Sequence, residues 1–360
     1  MQNSDLVLGI DIGGTKTAFG FVNHTGIMIS SASMPTDAGD SAETFVSHLH
    51  QLIEEVRAGL PSLHQLRGIG IGAPNANHHR GTIEKPVNLN WGESVDFVAL
   101  IRRYYDIPIA ITNDANAAAI GEMLFGNALG MKHFLVITLG SGLGSGIVTD
   151  GRLLYGASGF AGELGHIVVD PEGRQCGCGK KGCLETYVSA TGLRRTVLTL
   201  LAERRDPSPL RTISYHKMTA KRIYDLAVEG DPIALEAFDR TALILGLKLA
   251  DAVAHTSPEA IFLAGGLAAA GDLLLQPTQR YMNDYLYRAY RGTVKLMPSG
   301  METGKSAILG AAALIWQDNR VPVYRQETGP STRALSGYSH HPCSRVRRLW
   351  ECPDSRHNEI

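Results

Sequence analysis

The chain has 360 residues, a length that predicts two domains, each large enough to bury its own core. Hydrophobic residues make up 44% of the sequence, as in ordinary globular proteins, and the net charge of −1 creates no field that would attract nucleic acid or an anionic membrane. No apolar run is long enough for a membrane helix, and the first residues do not resemble a secretion signal, so we expect a cytoplasmic protein with neither nucleic-acid nor membrane partners.

A strand, a glycine-rich loop and a second strand occur twice along the chain. The first unit surrounds the loop DIGGTKT at residues 11–17, and the second surrounds LGSGLGSG at residues 139–146. When the two units are superposed, Asp11 falls on Thr138. The repeat predicts one fold module that is used twice, with two glycine loops that face each other.

The remaining pattern alternates between helical and strand-like segments, which indicates an α/β chain. Helices are predicted over residues 42–60, 95–105, 113–126, 184–202, 220–228, 232–255 and 306–316. Further strands are predicted over residues 68–72, 107–112, 261–264 and 294–297. Residues 319–360 are rich in Pro, Ser, His and Arg and lack apolar periodicity, so we expect a disordered tail.

One His and three Cys are close enough in sequence to form a tetrahedral metal site. Three of the five Cys lie within eight residues. Such a Cys₃His set is typical of structural Zn²⁺, and cytoplasmic Cys clusters favour metal binding over disulfides. The predicted ligands are His166, Cys176, Cys178 and Cys183. Glu163 and Glu185 flank the cluster without being needed as ligands. The plainer alternative is a zinc knuckle that only stabilises a loop.

The two glycine loops have the composition of phosphate-binding turns. Backbone N–H groups and the hydroxyls of Thr15 and Thr17 suit phosphate oxygens, and Asp11 is placed to hold Mg²⁺ through water. The first loop alone is equally compatible with a structural turn. The second loop, residues 140–144, favours the binding role, because two glycine hairpins fit the two ends of a triphosphate.

Two further positions lie at the carboxyl ends of predicted strands. Gly265-Gly266 would let the backbone approach a base or a phosphate, although close strand–helix packing explains it equally well. Asn113-Asp114 is suited to cap the following helix. A carboxylate at that position in an α/β chain is also suited to be a general base.

Taken in order, these motifs resemble the ROK family of bacterial sugar kinases and sugar-responsive repressors. The quoted segments are DIGGTKTAFG, the Asn113-Asp114 pair, TLGSGLGSGIV, GFAGELGH, the Cys motif that ends in Leu-Glu185, and LAGG, and the resemblance covers residues 6–316. It implies an actin-like, hexokinase-like (ribonuclease H-like) α/β fold of two lobes with a cleft between them. The implied lobes are residues 1–114, joined by the helix 305–317, and residues 115–304, with the zinc-binding loop and much of a dimer interface.

The resemblance also implies ATP- and Mg²⁺-dependent phosphorylation of a hexose, with structural Zn²⁺ and a homodimer. Asp114 would be the catalytic base that takes the proton of the 6-hydroxyl. The implied sugar ligands are Asn88, Asn113, Glu163, His166 and Glu185, with His166 shared between the sugar and zinc. The implied phosphate-binding residues are Asp11, Gly13, Gly14, Thr15, Lys16, Thr17, Thr138, Gly140, Ser141, Gly142 and Gly144. Gly265 and Gly266 match the adenosine motif.

Glucose is the expected hexose, since Glu163, His166 and Glu185 accompany gluco-configured substrates in the family. N-acetylglucosamine, N-acetylmannosamine, mannose, allose and fructose remain alternatives, because residues near 73–77 could decide between them. A sugar-responsive repressor is disfavoured, since only ten residues precede Asp11 and none resembles a helix-turn-helix. A catalytically dead sensor is disfavoured because Asp11, both loops and Asp114 are all present.

Overall fold

Two five-stranded sheets with the same topology form the framework of the protein. The computed structural model describes residues 5–317, apart from residues 38, 62, 86–88 and 303. The strands are β1 Asp5–Ile12, β2 Lys16–Asn23, β3 Met28–Pro35, β4 Gln65–Gly72, β5 Ala76–Asn77, β6 Thr82–Glu84, β7 Ser94–Val95, β8 Ile109–Thr112, β9 Phe134–Leu139, β10 Leu143–Thr149, β11 Arg152–Leu153, β12 Ala260–Ala264 and β13 Lys295–Pro298. The helices are α1 Ala42–Ala58, α2 Phe97–Arg102, α3 Asp114–Phe125, α4 Ala190–Glu203, α5 Ala220–Val228, α6 Pro232–Thr256, α7 Asp272–Tyr285 and α8 Ser306–Trp316.

The predicted repeat is confirmed by the order and direction of the strands. The first sheet has the order β3-β2-β1-β4-β8 and the second has β11-β10-β9-β12-β13. In both, a three-stranded antiparallel meander is followed by two parallel strands. Asp11 pairs with Ala18 and Thr138 pairs with Gly144, so the superposed positions occupy equivalent sites in two hairpins. A third small sheet, β5-β6-β7, has no counterpart in the predicted elements.

Local capping explains where several helices depart from their predicted bounds. The helix predicted over residues 95–105 is shorter because Asp96 caps α2 by accepting from the N–H of Ala99. The helix predicted over residues 184–202 is divided, since Ser189 caps α4 by accepting from the N–H of Gly192. A separate 3₁₀ turn, Leu184–Thr186, precedes it and carries Glu185.

Each large sheet has its own hydrophobic core, in agreement with the predicted α/β class. The first core packs β1 and β4 against α1 and α2, with Phe45, Leu49 and Phe97 fully buried. The second packs β9, β10 and β12 against α4 to α7, with Phe238 and Leu245 fully buried. The predicted boundaries at residues 114/115 and 304/305 stay a prediction.

Helices α3 and α8 pack together beside the two sheets. Ile308, Leu309 and Ala312 of α8 form a buried cluster with Val7 of β1 and Val22 of β2. This helix therefore packs on the first sheet. None of the helices between residues 5 and 317 that the structure describes has the length and apolar character needed to cross a membrane.

Candidate active site

Two acidic side chains and both repeated hairpins meet at one cavity of about 200 Å³. Asp11 comes from β1, Asp114 is the first residue of α3, Thr138 lies in β9, and Gly265 follows β12. The complete lining is Asp11, Asp114, Ala118, Val136, Thr138, Ala264, Gly265, Ser299, Met301, Ser306 and Ala307. The structure thus brings together four of the residues that the sequence singles out.

The two carboxyl groups in this cavity share an environment that favours their neutral forms. Desolvation, with a smaller contribution from the charge of Asp114, raises the pKa of Asp11 to about 6. The side chain of Asp114 is partly exposed to water. The surrounding protein nevertheless desolvates its carboxyl group, and this desolvation raises the pKa of Asp114. The N–H of Ala115 donates to Asp114 Oδ1 (2.8 Å) and partly offsets that effect. A carboxylate of raised pKa is a stronger proton acceptor near neutral pH.

Asn113 is the N-cap of α3, as one of the two interpretations of the Asn113-Asp114 pair predicts. Its Oδ1 accepts a hydrogen bond from the N–H of Ala115 (2.7 Å), which Asp114 also engages. The cap fixes the start of the helix and thereby the position of Asp114 at the cavity. Capping and base catalysis are therefore compatible roles for the pair.

The first glycine loop presents only some of its predicted phosphate ligands. The turn is closed by the N–H of Gly13, which donates to the carbonyl oxygen of Lys16 (3.0 Å). Thr15 and Lys16 are exposed. Thr17 is fully buried, and its hydroxyl shares a 2.7 Å hydrogen bond with that of Thr36. The burial of Thr17 supports the loop from behind and does not favour its predicted contact with phosphate.

The second glycine loop lies against the region of the Cys cluster. Gly140 N–H donates to the carbonyl oxygen of Gly142 (3.0 Å), and Ser141 is exposed at the tip of the turn. A Cβ on Gly142 would lie 2.6 Å from Oε2 of Glu185, whereas one on Gly140 would meet nothing within 4 Å. The lack of a side chain at Gly142 is therefore explained by Glu185, while Gly140 is free to approach a ligand.

A second cavity has a volume of about 270 Å³. Gly265 lines the first cavity and Gly266 lines the second, so consecutive glycines border both. Aromatic and aliphatic side chains dominate the second cavity. Its lining is Ala220, Lys221, Tyr224, Phe238, Gly266, Leu267, Ala269 and Ala270. Such a lining suits a flat, apolar-faced group such as a nucleobase.

The predicted zinc ligands converge on one point. One ligand atom from each of His166, Cys176, Cys178 and Cys183 lies within 4.8 Å of every other. Cys176 Sγ is 3.7 Å from His166 Nδ1, and the Sγ atoms of Cys178 and Cys183 are 3.6 Å apart. Tetrahedral zinc with Zn–S bonds of about 2.3 Å has ligand atoms about 3.8 Å apart. Both the donor set and its spacing fit a closed, four-coordinate zinc site.

The two ring nitrogens of His166 face different neighbours. Nδ1 faces the sulfur of Cys176, and Nε2 lies 3.9 Å from Oε2 of Glu163. Glu185 Oε1 accepts from the thiol of Cys176 (3.0 Å). Desolvation is the main cause of the raised pKa of Glu163; His166 opposes it, while Asp114 and Glu185 add to it by repulsion. The charge of Asp114 in the acidic cavity therefore acts on Glu163 beside the Cys cluster.

Some predicted features lie outside the part of the chain that the structure describes. Asn88 and the tail over residues 319–360 are outside the described part of the chain. The homodimer stays a prediction. Conversely, Ser299, Met301 and Ser306 line the acidic cavity without having been predicted. They follow β13 or begin α8, and no local motif distinguishes them from other Ser and Met residues.

Comparisons with known proteins are consistent across sequence and structure. Residues 7–318 match the model of the ROK family. The chain is 36% identical to the glucokinase of Halalkalibacterium halodurans over 282 residues, which cover 77% of this chain and 85% of the relative. The crystal structure of a ROK family glucokinase from Streptomyces griseus, in complex with glucose and AMPPNP, aligns with a TM-score of 0.74 and 32% identity, covering 87% of this chain and 100% of that chain. A ROK family transcriptional regulator, a homologue of the E. coli MLC protein, aligns with a TM-score of 0.79 and 27% identity, covering 87% of this chain and 78% of that chain.

The fold is therefore the two-lobed, actin-like and hexokinase-like α/β architecture, as the sequence resemblance implies. The chain belongs to the ROK family. The similarity to glucokinases supports a sugar kinase, while the similarity to a transcriptional regulator shows that the family also includes proteins with a regulatory role.

Proposed function

We propose that this protein is a kinase that transfers the γ-phosphoryl group of ATP to the 6-hydroxyl of a hexose, with glucose as its principal substrate. The observation that carries the proposal is the position of Asp114. It lies in the cavity with Asp11 and both repeated hairpins, and it interacts electrostatically with Glu163 beside the Cys cluster. A group at this junction is placed to receive a proton from one substrate while the other is attacked.

Asp114 is proposed to act as the general base. Its carboxylate accepts the proton of the 6-hydroxyl while that oxygen forms a bond to the γ-phosphorus. The bond from that phosphorus to the oxygen bridging to the β-phosphate breaks, and ADP leaves with the electron pair. Closure of the two lobes would exclude water from the transfer.

The nucleotide is proposed to extend along both cavities. Its terminal phosphates would lie near Asp11, Thr138 and the exposed turn of Gly140, and its adenine would enter the cavity beside Gly266. Asp11 would hold Mg²⁺ through water, and the ion would supply neutralising charge at the phosphates. The remaining loop residues, Gly13, Gly14, Thr15 and Lys16, are proposed to contact phosphate oxygens through backbone or side-chain donors.

The hexose is proposed to bind between Asp114 and the Cys cluster. Asn113, Glu163, His166 and Glu185 would contact its hydroxyls, with Nε2 of His166 facing the sugar. Zinc held by His166 and the three Cys would be structural, because four protein ligands complete its coordination shell. Nδ1 would bind the metal, so the orientation of the imidazole ring would be fixed before the sugar arrives.

Glucose is preferred among hexoses because the relatives at 36% and 32% identity described above are glucokinases. The alternatives are N-acetylglucosamine, N-acetylmannosamine, mannose, allose and fructose. The deciding experiment measures ADP release from ATP with each of these sugars. The proposal expects the highest kcat/KM with glucose, and a higher value for another hexose would reassign the substrate. We also propose a cytoplasmic homodimer with the lobe boundaries given above, which size-exclusion chromatography with light scattering and limited proteolysis would test.

A sugar-responsive regulator is the second candidate, supported by the similarity to the ROK family transcriptional regulator. It requires sugar binding without turnover. The joint presence of Asp11, Asp114 and both hairpins around one cavity favours the kinase. If glucose binds by calorimetry but no hexose in the panel stimulates ATP consumption, the regulatory function replaces the enzymatic one.

A further inference from the structure

We infer that Glu122 is a positioning residue that fixes a wall of the reaction cavity. The wall is the strap, defined here as residues 298–301, which follows β13. Ser299 and Met301 of the strap line the same cavity as Asp11 and Asp114. The inference rests on the proposed function for its interpretation of that cavity as the site where ATP phosphates bind.

The carboxylate of Glu122 accepts three hydrogen bonds, two from the strap and one from the segment that follows its own helix. Its Oε2 accepts from the hydroxyl of Ser299 (2.6 Å) and its Oε1 from the N–H of Gly300 (2.8 Å). The N–H of Asn127 also donates to Oε1 (2.7 Å). Glu122 is only 1% exposed, so these donors replace water as its solvation.

The surrounding packing leaves Glu122 little freedom to move. A Cβ on Gly126 would lie 2.5 Å from the carboxyl carbon of Glu122, and one on Gly300 would lie 2.6 Å from the side-chain amide carbon of Asn127. The amide nitrogen of Asn127 in turn donates to the carbonyl oxygen of Pro298 (3.3 Å). The strap is thus held by Glu122 and Asn127 at consecutive positions.

The same helix carries both the strap anchor and the proposed base. Asp114 is the first residue of α3, and Glu122 lies two turns further along. A rigid helix therefore fixes the distance between the strap and Asp114. Because the strap follows a strand of the second sheet, Glu122 connects that sheet to the position of Asp114.

The polar groups of the strap are occupied by this arrangement. Ser299 donates its hydroxyl to Glu122 and accepts from the N–H of Met301 (3.2 Å), while the N–H of Gly300 is taken by Glu122. The strap consequently forms part of the cavity wall but offers few free hydrogen-bond donors to a ligand. Removing the charge of Glu122 should release the hydroxyl of Ser299 and the N–H of Gly300. The strap would then relax and disturb the surface where the ATP phosphates are proposed to bind.

The test compares Glu122→Gln and Ser299→Ala with a control, Glu259→Gln, at an exposed carboxylate. Glu259 also accepts from two backbone N–H groups, those of Lys132 and His133 (2.9 and 3.0 Å), but it does not line the cavity. Calorimetric binding of Mg²⁺·AMPPNP, steady-state KM for ATP and glucose, and thermal unfolding are measured for all three variants.

The inference expects AMPPNP affinity to fall at least fivefold in Glu122→Gln and at least threefold in Ser299→Ala, with KM for glucose within twofold of the wild type. Glu259→Gln should keep its nucleotide affinity even where its melting temperature falls. Unchanged nucleotide affinity in Ser299→Ala together with Glu122→Gln, or an equal loss in the control, would overturn the inference. Ser299→Ala alone decides if Glu122→Gln does not fold.

These readouts separate this inference from the proposed function. Nucleotide binding is measured without turnover, so a weakened affinity supports the role of Glu122 even if no hexose is phosphorylated. Wild-type protein that phosphorylates glucose while both variants bind AMPPNP normally would leave the proposed function intact and remove the positioning role.

Discussion

Asp11 and Asp114 line one cavity from the same edge of the first sheet, one at the carboxyl end of its central strand β1 and the other at the start of the helix that follows its edge strand β8. The charge of Asp114 contributes to the raised pKa of Asp11, so the two groups do not titrate independently. Asp11 is proposed to hold the Mg²⁺ ion of the nucleotide, and Asp114 is proposed to accept the proton of the sugar hydroxyl. Under that proposal, their shared cavity would bring the two bound substrates together, as phosphoryl transfer requires.

Replacing Asp114 by Asn should abolish most turnover while leaving sugar binding largely intact. A positioned base contributes about 10²–10⁴ in rate, so kcat should fall by that factor. Glucose affinity, measured by calorimetry, should change less than about fivefold, because Glu163, His166 and Glu185 remain. The control is Asp251→Asn, which removes an exposed carboxylate of α6 paired with Lys248. A kcat within threefold of the wild type would remove Asp114 from the role of base.

The raised pKa of Asp11 predicts how stability depends on pH in the absence of nucleotide. Its folded-state pKa of about 6 exceeds the ordinary value of 3.8, so the folded state binds its proton more tightly. The resulting stabilisation is complete below pH 3.8 and is lost as the pH rises through 6. Asp11→Asn cannot titrate and should gain stability over the wild type between pH 4 and pH 8, on the order of 1 kcal/mol after solvent screening.

Urea unfolding of wild type and Asp11→Asn at several pH values measures this difference. Asp11→Asn also removes the repulsion between Asp11 and Asp114, which should add to the gain in unfolding free energy. A difference in unfolding free energy that stays constant from pH 4 to pH 8 would contradict the assigned environment of Asp11.

Substituting one ligand of the Cys cluster should weaken both the fold and sugar binding. Cys178→Ser removes one donor of a closed four-ligand set. The loop that carries Glu163 and His166 should then loosen, lowering the melting temperature by several degrees and glucose affinity about tenfold. Zinc content is measured in parallel by mass spectrometry, and Cys352→Ser is the control outside the cluster. Loss of zinc with unchanged melting temperature would show that the metal does not support the loop.

Gly140 and Gly142 of the second loop should affect different substrates. Gly142→Ala places a methyl group against Oε2 of Glu185, so KM for glucose should rise about fivefold or more while KM for ATP changes little. Gly140→Ala adds a methyl group in open space, and any effect should fall on ATP. Steady-state kinetics with each substrate varied provides the test. A larger effect of Gly142→Ala on ATP would mean that Gly142 contacts phosphate, as its sequence motif suggests.

The sequence predicts the parts of this protein that depend on short-range patterns. The hairpin repeat, the Cys spacing and the Asn113 cap are local, and the structure contains all three. Helix α8 has the bounds that the sequence predicts, and its eleven residues are small or apolar and include neither Pro nor a charged side chain. Strand β3 was missed, since its residues alternate between half-buried and exposed and include three Ser.

Contacts between residues that are far apart in the chain cannot be predicted from the local sequence pattern. Glu122 and Ser299 meet across the chain, and nothing near either residue indicates the other. Thr17 looks like a phosphate ligand in its motif, but its partner Thr36 lies beyond an intervening hairpin. Gly142 likewise belongs to a phosphate-type motif, while its closest neighbour is Glu185 from a separate turn. In each case tertiary packing decides a role that the local motif leaves open.

The two copies of the repeated module differ in charge at one equivalent position. Asp11 and Thr138 are equivalent in the two hairpins and line the same cavity, yet one is an acid and the other is neutral. Under the proposed function, Asp11 would hold the cation that accompanies the anionic phosphates, and Thr138 would face the phosphates without adding a further negative charge. On that proposal, one half of the chain would bind the cation and the other would bind the phosphates, which a perfectly symmetric pair of modules could not do.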